Sequence, residues 1–139
     1  MKATELRIGN LVNYDTAEGD VLTATIDWED LKWLSEDEQG FNLVHNSIPL
    51  TEEWFLKFGF EKLGEFGEYY RIFNKGLIID IEDAGNEFIV WVRIGDAILE
   101  PLLEVGYPIA YIQYVHQLQN LYFALTNEEL TLIKWKQTT

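Results

Sequence analysis

Leu77-Ile78-Ile79-Asp80-Ile81-Glu82-Asp83-Ala84-Gly85-Asn86-Glu87-Phe88-Ile89-Val90-Trp91-Val92-Arg93 reads as two β-branched runs on either side of an Ala84-Gly85 turn, and that reading decides the fold. A tight turn places Leu77, Ile79 and Ile81 on one face with Phe88, Val90 and Val92, which is the core face. Asp80, Glu82, Glu87 and Arg93 fall on the other, together with Ile78, Ile89 and Trp91, so that second face is expected to be partly covered. If the chain turns again at Lys75-Gly76, Tyr70 and Ile72 stay with the apolar face and Arg71 comes opposite Asp80, a cross-strand pair that accounts for both charges. The stretch is an antiparallel meander. Beyond it, Pro101 limits Ala97 to Leu103 to an edge strand at best.

Helices flank the meander on both sides. In Ile48-Pro49-Leu50-Thr51-Glu52-Glu53-Trp54-Phe55-Leu56-Lys57-Phe58-Gly59, Thr51 is a cap, Glu52 and Glu53 suit the positive end of the helix dipole, and Gly59 is a left-handed stop. Its aromatic stripe, Trp54, Phe55 and Phe58, is read as core in preference to a docking surface. From Tyr111 to Leu125 an amphipathic helix is expected with Val115, Leu118, Tyr122 and Leu125 inward. Its other side carries Gln113, His116, Gln117 and Asn120, an uncharged polar row that either reads a partner's hydrogen-bonding groups or satisfies backbone groups of a neighbouring segment. Thr126 to Glu129 then turns into a final strand, Leu130 to Trp135.

The N-terminal part reads as two short strands, Leu6 to Tyr14 and Val21 to Ile26, around a Glu18-Gly19-Asp20 turn, with Leu11 and Val21 as expected core positions. It resembles the opening of a small barrel. Asp27 caps a following helix from Trp28 that carries Leu31, Trp33 and Leu34. The predicted architecture is α+β: an antiparallel β-meander packed by two main helices, with a small-barrel-like N-terminal part. Its 139 residues, 47% apolar, suit a single domain with a core of its own, and no repeat or Pro/Gly/Ser linker marks a second one.

Charge and composition narrow the functions. With 24 acidic and 10 basic residues the formal charge is −14. Asp15, Glu18, Asp20, Asp27, Glu29, Asp30, Glu36, Asp37 and Glu38 stand against Lys32 alone between positions 15 and 38, so more than half of the net charge lies there. Such a field repels nucleic-acid phosphates and anionic lipid, and its complement is a basic protein surface; an acidic surface also serves solubility alone. The chain has no cysteine, which removes thiolate zinc sites, cysteine nucleophiles and disulfides and suits a reducing cytoplasm. Residues Met1 to Arg7 lack the basic start and apolar run of a secretory signal. No Gly-rich phosphate loop or paired-histidine helix is present, and no cofactor or metal is implied. His45 and Ser47 sit close in sequence without forming a triad pattern, and Asp80 with Glu82 is the remaining carboxylate pair.

The segment Ile48 to Trp54 with Phe58-Gly59-Phe60, the run Tyr114-Val115-His116-Gln117-Leu118-Gln119-Asn120-Leu121-Tyr122-Phe123-Ala124-Leu125-Thr126, the following Glu128-Glu129-Leu130, and the N-terminal Glu5-Leu6-Arg7-Ile8-Gly9-Asn10 together resemble an uncharacterised family of small proteins. That family is encoded by phages, prophages and mobile elements of Bacteroidetes. Asn127 stands where glycine is expected. The resemblance implies a bacterial cytoplasmic, phage-related setting and no catalytic residues.

Two functions of different class follow. One is a non-enzymatic binding module, in concrete form an inhibitor of host immunity, using the acidic segment (Asp27, Glu29, Asp30, Glu36, Asp37, Glu38) and the polar helix row against a basic host or phage protein. The other is a small hydrolase or nucleotide-binding protein working from the Asp80/Glu82 face or the His116 row.

Overall fold

The computed structural model describes residues 1–64, 69–94 and 108–133. In chain order, after a 3₁₀ turn at Ala3–Glu5, the elements are β1 (Leu11–Asp15), β2 (Val21–Thr25), α1 (Trp28–Glu36), α2 (Glu38–Val44), β3 (His45–Asn46), α3 (Glu52–Lys57), β4 (Glu61–Leu63), β5 (Tyr69–Asn74), β6 (Leu77–Asp83), β7 (Phe88–Ile94), β8 (Ala110–Ile112) and α4 (Val115–Thr126). They form an α+β fold with two antiparallel sheets. The chain divides into two compact units, Met1–Leu50 with Tyr114–Glu129 and Thr51–Gln113 with Leu130–Thr139.

In the first unit the sheet order is β2-β1-β3, an open sheet in place of the expected barrel. The β1–β2 turn closes on Thr16, whose N–H donates to Asp20 O and whose Oγ1 accepts from Asp20 N–H, with Gly19 at φ 89°. That closure sets the register Leu11↔Thr25 through Asp15↔Val21. Val12 and Ala24 are thereby turned into the core, and Val12 is fully buried. Leu11 and Val21, expected inside, lie instead on the outer face, Val21 at 61% exposure; one residue of register exchanges the faces of a strand.

Both acidic helices are built on their own carboxylates. Asp27 Oδ1 accepts from Asp30 N–H and Asp30 Oδ2 from Asp27 N–H, a reciprocal capping box that starts α1. Asp37 Oδ1 accepts from Gly40 N–H and starts α2, and no Cβ could be added at Gly40 without striking that carboxylate. Leu34 of α1 and Phe41 of α2 then reach Leu6, Val12 and Ile26 in one buried cluster. The fourth helix starts later than its periodicity predicts. Tyr111 and Ile112 are drawn into β8 by pairing with Ile89 and Phe88, so α4 begins at Val115, with Tyr114 N–H donating to Gln117 Oε1. Val115, Leu118 and Tyr122 face inward as expected, Leu125 is half-buried, and Asn127 takes the left-handed conformation at φ 58° that ends the helix.

In the second unit the order is β4-β5-β6-β7-β8, antiparallel throughout. Lys75 and Gly76 both have positive φ, the pattern of a two-residue hairpin turn whose twist matches its strands. The expected faces are observed: Ile79 opposes Val92, Ile81 opposes Val90, and Arg71 opposes Asp80. Short α3 covers the apolar face through Phe55, which stacks on Tyr70 at 4.3 Å and meets Phe88 edge-on at 5.1 Å. Thr51 is at the cap position but its side chain makes no capping bond. Glu53 pairs instead with Lys57 and Glu52 with Lys62. Phe60 N–H to Phe55 O and Gly59 N–H to Leu56 O, with Gly59 at φ 89°, make the expected left-handed stop. Leu130 to Ile133 is not a strand, although Ile133 N–H bonds Lys57 O; the rest of that expected strand, and the edge strand around Pro101, lie outside the described residues.

Candidate functional site

The polar helix row disperses when its bonds are followed. Gln113 precedes α4 in chain order and its Nε2 donates to Asn86 O at 3.3 Å. Gln117 is the capping residue of the helix start. Asn120 Oδ1 accepts from Asn10 Nδ2 at 2.8 Å and from Arg7 Nη1 at 3.1 Å, while its Nδ2 donates to Glu5 O at 2.9 Å. Gln119, which the sequence reading passed over, is buried and spans the same strip, accepting from Leu11 N–H at 2.8 Å and donating to Gly9 O at 3.1 Å. Its position four residues after Val115, on the inward stripe, was the signal for it. Arg7 completes the joint with an ion pair to Glu129 and its guanidinium 4.0 Å above the Phe123 ring. These amides close an irregular backbone segment whose own ladder is interrupted. His116 is the exception: it is 2% exposed, its Nδ1 has no hydrogen-bond partner, and burial lowers its pKa despite the opposing charge of Glu5.

The candidate catalytic groups are held by neighbours in the chain. Asp80 receives Arg71 Nε at 2.6 Å and Nη2 at 2.9 Å, and Arg93 Nη2 at 3.1 Å. Donating these hydrogen bonds to Asp80 raises the pKa of Arg71. Glu82 accepts from Trp91 Nε1 at 3.3 Å. With both oxygens of Asp80 taken by guanidiniums, this carboxylate is engaged within the sheet and has little left to offer a substrate. His45 is buried, stacked on Phe41 at 3.8 Å and 7°, flanked by Trp33 and Tyr14 at 5.5 and 5.2 Å, with Nδ1 2.9 Å from Phe41 O. Its surroundings are those of an aromatic core residue, and no bond joins it to Ser47 among the described residues.

The acidic segment splits into two kinds of residue. Asp27, Asp30 and Asp37 cap helices, and the Asp30 N–H bond is the first cause of the lowered pKa of Asp27. Glu29, Glu36 and Glu38 are exposed and make no side-chain bond among the described residues. Between them α1 exposes Trp28 at 62% and Trp33 at 40%. The turn end of the β1–β2 hairpin adds Leu22 at 54% and Tyr14 at 36%, Tyr14 and Trp33 both touching the buried His45 ring. Apolar side chains in water among carboxylates form the candidate site. The carboxylates and the Asp27 cap were legible in the sequence; the capping roles of Asp30 and Asp37 and the exposure of Trp28 and Trp33 were not.

No family model, curated protein or solved structure matches this chain. Among the described residues no helix is long and apolar enough to cross a membrane, and no three His, Asp or Glu side chains gather where a metal could bind.

Proposed function

We propose that this chain is a non-enzymatic protein-binding module whose contact surface lies on the first unit and whose partner presents a basic surface. The exposure of Trp28 and Trp33 beside Glu29, Glu36 and Glu38 carries the reading. A surface serving solubility alone has no use for two tryptophans in water, whereas aromatic anchors amid charge combine affinity with electrostatic steering. The bacterial cytoplasm and a phage or prophage setting enter the proposal on the resemblance of the quoted segments. An inhibitor of host immunity that occupies a basic site is its concrete form. The hydrolase reading is the weaker one, because Asp80 and Glu82 are engaged within the sheet and His116 is enclosed.

The test is affinity capture by the tagged protein from bacterial lysate at low and high salt, repeated with Glu36→Gln/Glu38→Gln and with Trp33→Ala. One basic protein held by the parent chain at low salt, released at high salt and lost with both variants is the expected result. Retention indifferent to salt and to both variants, or no retained protein, overturns the reading.

A further inference from the structure

We propose that the free edge of β2 accepts an extended basic segment of the partner as an added strand. This rests on the binding reading above and specifies how the surface is used. Ile26 N–H bonds Asn10 O and Thr16 N–H bonds Asp20 O, each at 2.8 Å, bracketing the β1–β2 ladder at even-numbered positions of both strands. Alternation in an antiparallel pair makes Val12↔Ala24 and Tyr14↔Leu22 the bonded pairs and turns the N–H and C=O groups of Val21, Thr23 and Thr25 away from β1. Among the described residues no strand lies on that side, since β2 ends the order β2-β1-β3. Val21, Leu22, Thr23 and Thr25 are all exposed. Edge strands are ordinarily blunted by lysine, proline or a charge, and Val21-Leu22-Thr23-Ala24-Thr25 has none of these.

Charge selects the occupant. Asp20 stands just before this strand and Asp27 two residues after it, so carboxylates mark both ends of the edge. A second copy would bring acid against acid, each chain with a formal charge of −14, which disfavours self-pairing. The matching ligand has β-branched residues over about 17 Å, the length of five strand residues, and Lys or Arg at both ends. Backbone bonds to Val21, Thr23 and Thr25 hold it. Alternate side chains lie beside Leu22 on one face and Val21 and Thr23 on the other.

The probe is an end-capped peptide, Lys-Arg-Val-Thr-Val-Thr-Val-Arg-Lys, with a counterpart carrying Glu at both ends, read by NMR amide hydrogen exchange and by fluorescence polarisation. In the free protein the Leu22 and Ala24 amides should exchange slowly and those of Val21, Thr23 and Thr25 fast. The basic peptide should slow the latter three by at least about tenfold, and the acidic one should not bind. Thr23→Pro removes an outward N–H without touching the β1 ladder and should weaken binding by at least about fivefold. Thr23→Lys keeps the N–H, blunts the edge by charge, and should weaken binding if the proline variant proves unstable. Peptide binding without slowed exchange, or with unchanged affinity for both variants, overturns edge addition while leaving the acidic-surface reading standing. No binding of the basic peptide overturns edge addition, and the capture experiment then decides the acidic surface separately. Concentration-dependent dimers of the free chain in sedimentation assign the edge to a second copy and also overturn it.

Discussion

His116 and Asp80 show how much a single side chain can decide. Burial holds the His116 pKa below its ordinary value, so between that lowered value and about pH 6.5 the unfolded chain binds the extra proton. Stability is therefore whole above about pH 6.5 and is lost as the pH falls through that value, by at most about 1.4 kcal/mol per pH unit for one group. Urea midpoints at about pH 7.5 and about pH 5.5 should show the loss, and His116→Leu should reduce it. Asp80→Asn removes the carboxylate that Arg71 and Arg93 share and should cost about 3 kcal/mol in chemical denaturation. The Arg71–Asp80 pair was legible because strand register is arithmetic once the turn is placed. The enclosure of His116 was not, because helical periodicity marks it polar without stating what packs over it.

At the scale of elements, the carboxylates that look alike in sequence separate by work done. Asp37→Ala should cost about 1 kcal/mol by uncapping α2, while Glu36→Gln one position earlier should change stability by less than about 0.5 kcal/mol. Gly40→Ala, favourable by helix propensity, should destabilise by about 1 kcal/mol or more because the new Cβ displaces the Asp37 cap. Asn127→Gly should leave the thermal midpoint nearly unchanged, whereas Asn127→Val should cost about 1–2 kcal/mol at a left-handed φ of 58°. The start of α1 and the stop of α3 were readable from local chemistry, Asp27 and Gly59. The start of α4 was not: Tyr111 and Ile112 continue a helical pattern yet pair with β7, a non-local contact that outweighs propensity.

For the whole molecule, the charge of −14 acts in two opposite senses. Raising NaCl from low levels to about 0.5 M screens repulsion among carboxylates and should raise the calorimetric midpoint. The same screening should weaken a basic partner, so stability and binding should move in opposite directions with salt. A binding interaction that strengthened with salt would point to the exposed Trp28, Trp33 and Leu22 acting without the carboxylates.

By itself the sequence determined the class of fold, the meander with its apolar and mixed faces, the Arg71–Asp80 pair, the Asp27 cap and the acidity of the segment from Asp15 to Glu38. Each follows from short-range periodicity, from chemistry within a few residues, or from a sum over side chains. Only the tertiary structure decided which face of β1 is buried, where α4 begins, that Gln119 and Asn120 clasp the segment from Glu5 to Leu11, and that β2 ends its sheet with an open edge. Those outcomes depend on partners as far as 115 residues away and on one residue of register, and side-chain order along the chain carries neither.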